Sequence, residues 1–280
     1  MQTRALVLGG GGVTGVGWQL GLIAGLAEQG IDLTTADVII GTSAGSVVGA
    51  DIASGQDLQS LYQRQLAPPD GEIAARLGFG TLARFVLIMA TSASPVRARI
   101  RIGKLALAAG TISEADRRKV IAGRLPVRDW PAVPLKITAV DAHTGEFVVF
   151  DAAGEASLLD AVGASCAVPG VWPPVTIGGR RFIDGGMRSP ANADLARGYD
   201  RVVIVAPLPR GTKRFPGADR QAAALAAAGA SVTMIKPDPA ALKAIGRNVL
   251  DPARRAPAAT AGWVQASSVA EQVRAVWQAG

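Results

Sequence analysis

The sequence predicts an α/β fold in three layers, with helices on both faces of a mainly parallel central sheet. Residues 4–8 and 37–41 are short apolar runs bounded by glycine, a pattern typical of buried strands. Helix-like segments follow them over residues 14–29 and 44–53, and Gly30 stands where a C-cap glycine is expected. Strand, glycine turn and helix thus occur twice in succession, the order that a parallel sheet with packed helices requires.

The middle of the chain predicts a helical insertion. Helix-like patterns dominate between about residues 57 and 125, and Ser113 with Asp116 forms a capping pair at the start of "EADRRKVIAG". The strand-like signal that remains in this stretch is the alternation in "VRARIRI". We expect these residues to form a helical cap over the catalytic face.

Strand patterns return after the insertion. The runs at residues 134–141 and 146–151 flank "AHTG" and predict a hairpin, and Ser157 begins a further helix. Three more strands are predicted at "RRFIDGG", "RVVIVAPL" and "SVTMIKP", followed by C-terminal helices over about residues 238–280. We therefore expect a single domain over residues 1–280, with its core motifs between residues 4 and 207.

Composition excludes several classes of protein. The single cysteine, Cys166, rules out an internal disulfide and a cysteine-only metal site, and we expect neither a metal nor a cofactor. The longest apolar run, "FVLIMA", is too short to span a bilayer, and the N-terminus lacks the pattern of a signal peptide, which predicts a cytoplasmic protein.

The net charge of +7 predicts attraction to anionic surfaces, with peripheral contact at an anionic membrane as the hypothesis. The basic runs "VRARIRIGK" and "DRRK" carry no nucleic-acid motif, so no nucleic-acid partner is expected. The apolar segment "FVLIMATS" is typical of core, although within a cap it would line an acyl pocket or touch a bilayer.

A glycine-rich turn follows the first strand. Gly10, Gly12 and Gly15 match the dinucleotide fingerprint G-x-G-x-x-G, so an oxidoreductase that binds NAD is one hypothesis. That fingerprint also needs an acid at the carboxyl end of the second strand, whereas Asp37 stands at its amino end and Asp32 lies before it. The match alone is weak evidence for a cofactor site.

The carboxyl end of the second strand carries "GTSAG", a G-x-S-x-G motif between a strand and a helix. This is the context of a nucleophile elbow, in which Ser43 is held in a strained turn and Gly41 and Gly45 avoid crowding it. If the first two strands are neighbours, the N–H groups of Gly10, Gly11 and Gly12 lie near Ser43. Serine and turn together then predict acyl transfer through an oxyanion.

A serine nucleophile needs a general base, and the residues offer two candidates. His143, the single histidine, falls in the predicted hairpin turn, where a surface role is the simpler interpretation. Asp184, in "FIDGG", ends a predicted strand, as site residues often do. Asp184 would have to be desolvated to act as a base, and stabilising its own turn explains it about as well.

The sequence resembles the patatin-like phospholipase family. "GGGGVTG" is similar to the family's oxyanion turn, "GTSAG" to its serine elbow and "DGG" to its aspartate motif, with "ASCAVPGVWPPV" and "RSPANADLA" as further matching blocks. The resemblance implies a Ser–Asp dyad that cleaves fatty acyl esters of lipids, with Ser43 as nucleophile and Asp184 as base. It also implies an oxyanion hole at Gly10, Gly11 and Gly12, and turn support from Gly185 and Gly186.

One position departs from the family pattern. Many members carry Arg or Lys just before the glycine that closes the oxyanion turn, and Thr14 holds that place here. The departure implies a weaker positive field near the hole. A non-catalytic family member that acts as a lipid-binding or regulatory module is the remaining alternative.

Overall fold

The computed structural model describes residues 2–69, 72–125, 127–212 and 215–278. In this part of the chain, eight strands form one mixed sheet. They are β1 (Arg4–Leu8), β2 (Val38–Gly41), β3 (Leu135–Asp141), β4 (Phe147–Phe150), β5 (Val175–Ile177), β6 (Arg180–Asp184), β7 (Arg201–Val205) and β8 (Ser231–Ile235).

Successive hydrogen-bonded neighbours in the sheet are β5, β6, β3, β2, β1, β7 and β8, and β4 pairs with β3 as well. The pairings of β1 with β2 and β7, of β2 with β3 and of β7 with β8 are parallel. The pairings of β3 with β4 and β6, and of β5 with β6, are antiparallel. The first strands therefore form the parallel unit that the sequence predicts, and the sheet becomes antiparallel beyond β3.

Two strands share one edge of β3. Ile137 pairs with both Gly41 of β2 and Phe150 of β4, so β2 and β4 lie on opposite edges of β3. Ala139 likewise pairs with β4 on one edge and with Asp184 of β6 on the other. The strand β6 therefore lies on the same edge of β3 as β2. The strands β2 and β6 therefore approach each other end to end, because they run in opposite directions along that edge.

Helices cover both faces of the sheet, as the predicted three-layer fold requires. Leu6 and Leu8 of β1 face a core that includes Trp18 and Trp277, while Ala5 and Val7 face a second core on the other side. In chain order the helices are α1 (Gly12–Glu28), α2 (Ala44–Ala53), α3 (Leu58–Leu66), α4 (Phe79–Thr91), α5 (Pro95–Leu107), α6 (Glu114–Arg124), α7 (Leu158–Ser165), α8 (Ala218–Ala227), α9 (Pro239–Ile245) and α10 (Arg255–Trp277).

The helix α1 packs on α10 at very short range. A Cβ at Gly21 would lie 2.0 Å from the Ala259 carbonyl oxygen, and one at Gly262 would lie 2.2 Å from that of Trp18. Glycine at these positions lets the two backbones touch. This packing fixes the axis of α1, whose first turn is the glycine-rich segment.

The local predictions differ from the structure in a few places. The "VRARIRI" stretch lies in α5, not in a strand, because Ser94 caps the helix and Pro95 occupies its first turn. The helix α1 begins at Gly12, two residues before the predicted start. The short strand β5 and the helix α8 were not predicted. Within the described residues, no helix has the length and apolar character to cross a bilayer.

Candidate active site

Ser43 lies between β2 and α2 in a conformation that few residues other than glycine adopt, with φ 52° and ψ −116°. Strain of this kind concentrates at functional sites. The flanking residues must be glycine because neighbouring backbone lies too close for a side chain. A Cβ at Gly45 would lie 2.0 Å from the Leu8 carbonyl oxygen, and one at Gly41 would lie 2.6 Å from Ser46 Cα. The elbow predicted from "GTSAG" is therefore present in the structure.

The backbone of Ser43 is held by residues at the C-terminal end of α7 and by Ser46 of α2. The Ser43 N–H donates to Ser165 Oγ (2.8 Å), and Cys166 Sγ contacts the Ser43 carbonyl oxygen at 3.4 Å. Ser46 Oγ donates to that same carbonyl oxygen at 2.7 Å. Cys166 is buried, as expected, and its burial raises the pKa of the thiol to about 11, so the thiol is neutral. These contacts fix the elbow without using the Ser43 hydroxyl.

Asp184 reaches the serine through the end-to-end arrangement of β2 and β6. The last residue of β2, Gly41, pairs with Ile137, and Asp184 pairs with Ala139 two residues further along β3. The carboxylate is 3% exposed and accepts a hydrogen bond from the Gly186 N–H at 2.7 Å. Burial raises the pKa of Asp184 to about 6, and hydrogen bonding to the Ser43 side chain and to Gly186 limits the rise.

This geometry differs from the simplest expectation for a strand-end residue. The strand β6 runs against the parallel strands, so Asp184 is not at the carboxyl edge of a parallel sheet. It lies beside that edge because β6 covers only residues 139–141 of β3 and stops there. Gly185 then passes close to β3, where a Cβ would lie 2.3 Å from Thr138 Oγ1.

One buried amide links the serine segment to the aspartate segment. Asn192 Nδ2 lies within hydrogen-bond distance of Thr42 Oγ1 (3.0 Å), the Gly185 carbonyl oxygen (3.3 Å) and the Ser189 carbonyl oxygen (3.0 Å). Thr42 precedes Ser43 and Gly185 follows Asp184. Asn192 adopts a left-handed conformation with φ 50°, which asparagine tolerates better than most residues. It therefore acts as a clamp between the two segments.

The glycine-rich turn lies against the elbow, as the neighbouring strands β1 and β2 require. A Cβ at Gly10 would be 3.4 Å from Ser43 Cβ. The Gly10 N–H, however, donates to the Pro190 carbonyl oxygen at 2.8 Å, so it is already engaged. The N–H groups of Gly11 and Gly12 have no acceptor among the described residues. The turn therefore supplies donors at Gly11 and Gly12, while Gly10 provides the close approach.

Thr14, the departure in this turn, makes a structural contact. Its N–H donates to the Val249 carbonyl oxygen at 3.2 Å, and its hydroxyl lies 3.3 Å from the same oxygen. The side chain is buried against the segment before α10. Thr14 thus anchors the first turn of α1 and brings no charge to the site.

The rival site residues lie elsewhere. His143 is exposed in the turn between β3 and β4, where its N–H donates to Asp141 Oδ1 at 2.9 Å. Asp37 accepts a hydrogen bond from the Arg4 N–H at the amino end of β1, and Asp32 caps a short 3-10 turn. None of these three residues lines the cavity that Gly12 and Ser43 share.

Two adjoining cavities open at the elbow. The first, of about 20 Å³, is lined by Ser43, Gly12, Arg117 and Trp172, among others. The second, of about 420 Å³, shares Val13, Val16, Val47 and Arg124 with it. The serine therefore faces a narrow space that leads into a larger one.

Comparison with known proteins decides the family. The family model for patatin-like phospholipase matches residues 6–197. The chain belongs to the patatin-like phospholipase family. The match covers the glycine turn, the elbow, Asp184 and Asn192.

Individual relatives are more distant. An uncharacterised NTE family protein of Mycobacterium tuberculosis is 27% identical over 217 residues, which are 78% of this chain and 52% of the relative. The Saccharomyces cerevisiae protein named lysophospholipase NTE1 is 49% identical over 63 residues, 22% of this chain and 4% of the relative. This patatin-like chain thus spans about half the length of the mycobacterial relative.

A solved structure supports the fold. VipD from Legionella pneumophila superposes with a TM-score of 0.50 at 14% sequence identity, covering 97% of this chain and 67% of that chain. At this level of identity the likeness concerns the patatin-like fold alone.

Sequence reasoning missed four residues of the site: Ser165, Thr138, Asn192 and Arg117. Ser165 and Asn192 lie in blocks already noted for their resemblance, "ASCAVPGVWPPV" and "RSPANADLA". Their contacts with Ser43 and Thr42 join residues more than 100 positions apart, and no local pattern encodes such pairs.

The clamp predicts two separable effects at position 192. Asn192→Gly keeps the left-handed backbone but leaves the Gly185 and Ser189 carbonyls without the amide, so we expect a loss of about 1–3 kcal/mol in the free energy of unfolding. Asn192→Ala should lose about 1 kcal/mol more, because alanine resists positive φ. Urea denaturation measures both. Wild-type stability in Asn192→Gly would mean that the backbone conformation, and not the amide, is what matters.

Proposed function

We propose that this chain hydrolyses fatty acyl esters of lipids, with Ser43 as the nucleophile and Asp184 as its general base. The observation that carries the proposal is the end-to-end meeting of β2 and β6, which brings the buried Asp184 and the strained turn of Ser43 to neighbouring positions along β3. A strained serine beside a desolvated carboxylate is the arrangement that nucleophilic catalysis needs.

The proposed reaction has two halves. Ser43 Oγ attacks the ester carbonyl while Asp184 accepts the hydroxyl proton, and the N–H groups of Gly11 and Gly12 donate to the oxyanion. Collapse of this intermediate breaks the ester C–O bond, and Asp184 returns the proton to the leaving alcohol. Water then attacks the acyl-enzyme and loses a proton to Asp184. When the acyl C–O bond to Ser43 breaks, Asp184 returns that proton to Ser43 Oγ, so that the fatty acid is released and the serine is restored.

The pKa of Asp184 suits this role. A carboxyl group at its ordinary pKa of about 4 is a weak base. Burial raises the pKa of Asp184 to about 6, so the group is still ionised at neutral pH and binds a proton more readily than a free aspartate.

The substrate class rests on family membership. The family is described as patatin-like phospholipase, and the yeast relative is named a lysophospholipase. We therefore infer that the esters are those of phospholipids or lysophospholipids. The non-catalytic alternative predicts the same fold without turnover, so activity itself separates the two.

The dyad is tested by labelling with a fluorophosphonate probe and by hydrolysis of a short-chain nitrophenyl ester. Ser43→Ala should lose both, and Asp184→Asn should lower the rate by about 10²–10⁴-fold, because the proton loses its acceptor. His143→Ala, in the exposed turn, is the control and should retain both. Loss of activity in a folded His143→Ala protein would contradict the assignment of the base.

We also propose that the chain docks on anionic membranes through α4. Six apolar residues recur at helical spacing on its outer face: Phe79, Leu82, Ala83, Val86, Leu87 and Ala90. Phe79 is 87% exposed and Val86 62% exposed. An exposed apolar face of this extent marks an interaction site.

Charge indicates what the occupant is. Residues 73–113, which include α4 and α5, contain six Arg or Lys residues and no acidic residue. Arg84 on α4 and Arg97 in the first turn of α5 are exposed. An apolar face bordered by cations is typical of peripheral binding to anionic lipid.

The α4 surface also lies close to the candidate site. Phe85, Ile88 and Met89, on the inner face of α4, belong to the same core cluster as Ile183, which precedes Asp184. The inner face of α4 therefore packs on the strand that ends at Asp184.

Vesicle co-sedimentation tests this surface. The wild type should bind phosphatidylcholine vesicles that contain phosphatidylserine and bind pure phosphatidylcholine weakly. Val86→Asp should lower the affinity at least about tenfold, because it removes apolar contact and adds a repelled charge. The matched control is Val264→Asp on α10, where valine is 59% exposed, and it should bind as the wild type does.

Three outcomes contradict the docking proposal. They are absence of wild-type binding, equal loss in the two valine variants, and a wild-type dimer that Val86→Asp dissociates in solution. The last would mean that a second copy of the chain covers α4.

A further inference from the structure

Arg117, on α6, is a buried cation without a complete set of partners. The residue is 5% exposed, and its Nη1 atom hydrogen-bonds to none of the described residues. Guanidinium groups this deeply buried are normally paired with carboxylates or carbonyls. An unsatisfied donor in such a position indicates that a ligand completes the site.

The Arg117 guanidinium is held in place by an aromatic ring. Its Cζ atom lies 3.8 Å from the centre of the Trp172 ring, a cation–π contact. Burial, and repulsion from nearby Arg124, lower the pKa of Arg117 to about 10, so it keeps its charge at neutral pH.

The acidic residue that attracts Arg117, Glu72, is already paired with another arginine. Glu72 attracts Arg117 only at a distance, since it forms a two-pronged ion pair with Arg124 and a longer contact of 3.7 Å with Arg255. Thr14, in the nearby glycine turn, is neutral and does not change this balance of charge. The local field around Arg117 is therefore positive.

The placement of Arg117 connects it with the chemistry. Arg117 and Arg124 line the same small cavity as Ser43 and Gly12. Arg124 also lines the adjoining cavity of about 420 Å³, whose other cationic residues are Arg64, Lys119 and Arg255. The acidic residues of this lining are Asp51 and Glu72, so cations outnumber acids in a space large enough for a polar headgroup.

We propose that Arg117, together with Arg124, binds the phosphate of a phospholipid ester whose acyl carbonyl lies at Ser43. The inference rests on the function proposed above and goes beyond it by assigning the headgroup subsite. A guanidinium matches two phosphate oxygens at once, and the stacked ring keeps it oriented. The phosphate carries its negative charge throughout, so it offsets the repulsion between Arg117 and Arg124 before the reaction begins. The oxyanion at Ser43 exists only during the reaction and cannot do this.

The test compares two esters that share an acyl chain and glycerol and differ in the phosphate headgroup: a lysophospholipid and the corresponding monoacylglycerol. Arg117→Gln should raise KM for the lysophospholipid about 10- to 100-fold, as expected for a lost charge-assisted hydrogen bond, and leave the monoacylglycerol nearly unchanged. Arg117→Lys should restore part of the lysophospholipid affinity. Arg118→Gln is the matched control, because Arg118 is the next residue on α6 but is exposed and paired with Asp160.

An equal fall in kcat for both esters would overturn the proposal and assign Arg117 to the oxyanion. Equal behaviour of Arg117→Gln and Arg118→Gln would overturn it as well. Binding of dodecylphosphocholine, which has the phosphate but no ester bond, keeps the test independent of turnover. The wild type should bind it at least about tenfold more tightly than a folded Arg117→Gln protein, and equal affinity would contradict the subsite even if neither ester were hydrolysed.

Discussion

The candidate site depends on how two strands share one edge of β3. The strand β2 pairs with its first half and β6 with its second half, and the two strands end two positions apart. Because a strand edge accepts one partner at each position, this register fixes the separation of Ser43 and Asp184. The sheet thus determines the backbone positions of Ser43 and Asp184. The elbow glycines and the Asn192 clamp then hold the segments that carry these two side chains.

Burial gives these side chains their chemical character. Asp184 would be an ordinary acid on the surface, whereas at the end of β6 burial raises its pKa to about 6. The same exclusion of water strengthens the donors at Gly11 and Gly12 and makes the unpaired Nη1 of Arg117 costly. A narrow pocket edged by fixed donors favours a reaction in which negative charge moves between oxygens.

The sequence predicted those parts of the molecule that are encoded locally. The strands β1 and β2, the helix α2 and the elbow at Ser43 follow from apolar runs and glycine spacing. The alternation in "VRARIRI" indicated a strand where the structure has a helix. The helix forms because Ser94 caps it, Pro95 occupies its first turn and one of its faces is packed, and these effects outweigh a short strand-like pattern. The strand that ends at Asp184 was predicted from "RRFIDGG", but its antiparallel direction was not, since register along β3 is a long-range property. Arg117 could not be found at all: its ring partner, Trp172, is 55 positions away along the chain.

We propose that an aspartate buried at the β2–β6 junction acts as the base, and its ionisation can be followed directly. The measurement is kcat/KM for a soluble neutral ester between pH 4.5 and 8. We expect a rate that rises about tenfold per pH unit below about pH 6 and levels off above pH 7, because only the carboxylate accepts the proton. His143→Ala should keep this profile. A rate that is flat over the whole range, or a rising limb that disappears in His143→Ala, would show that Asp184 is not the base.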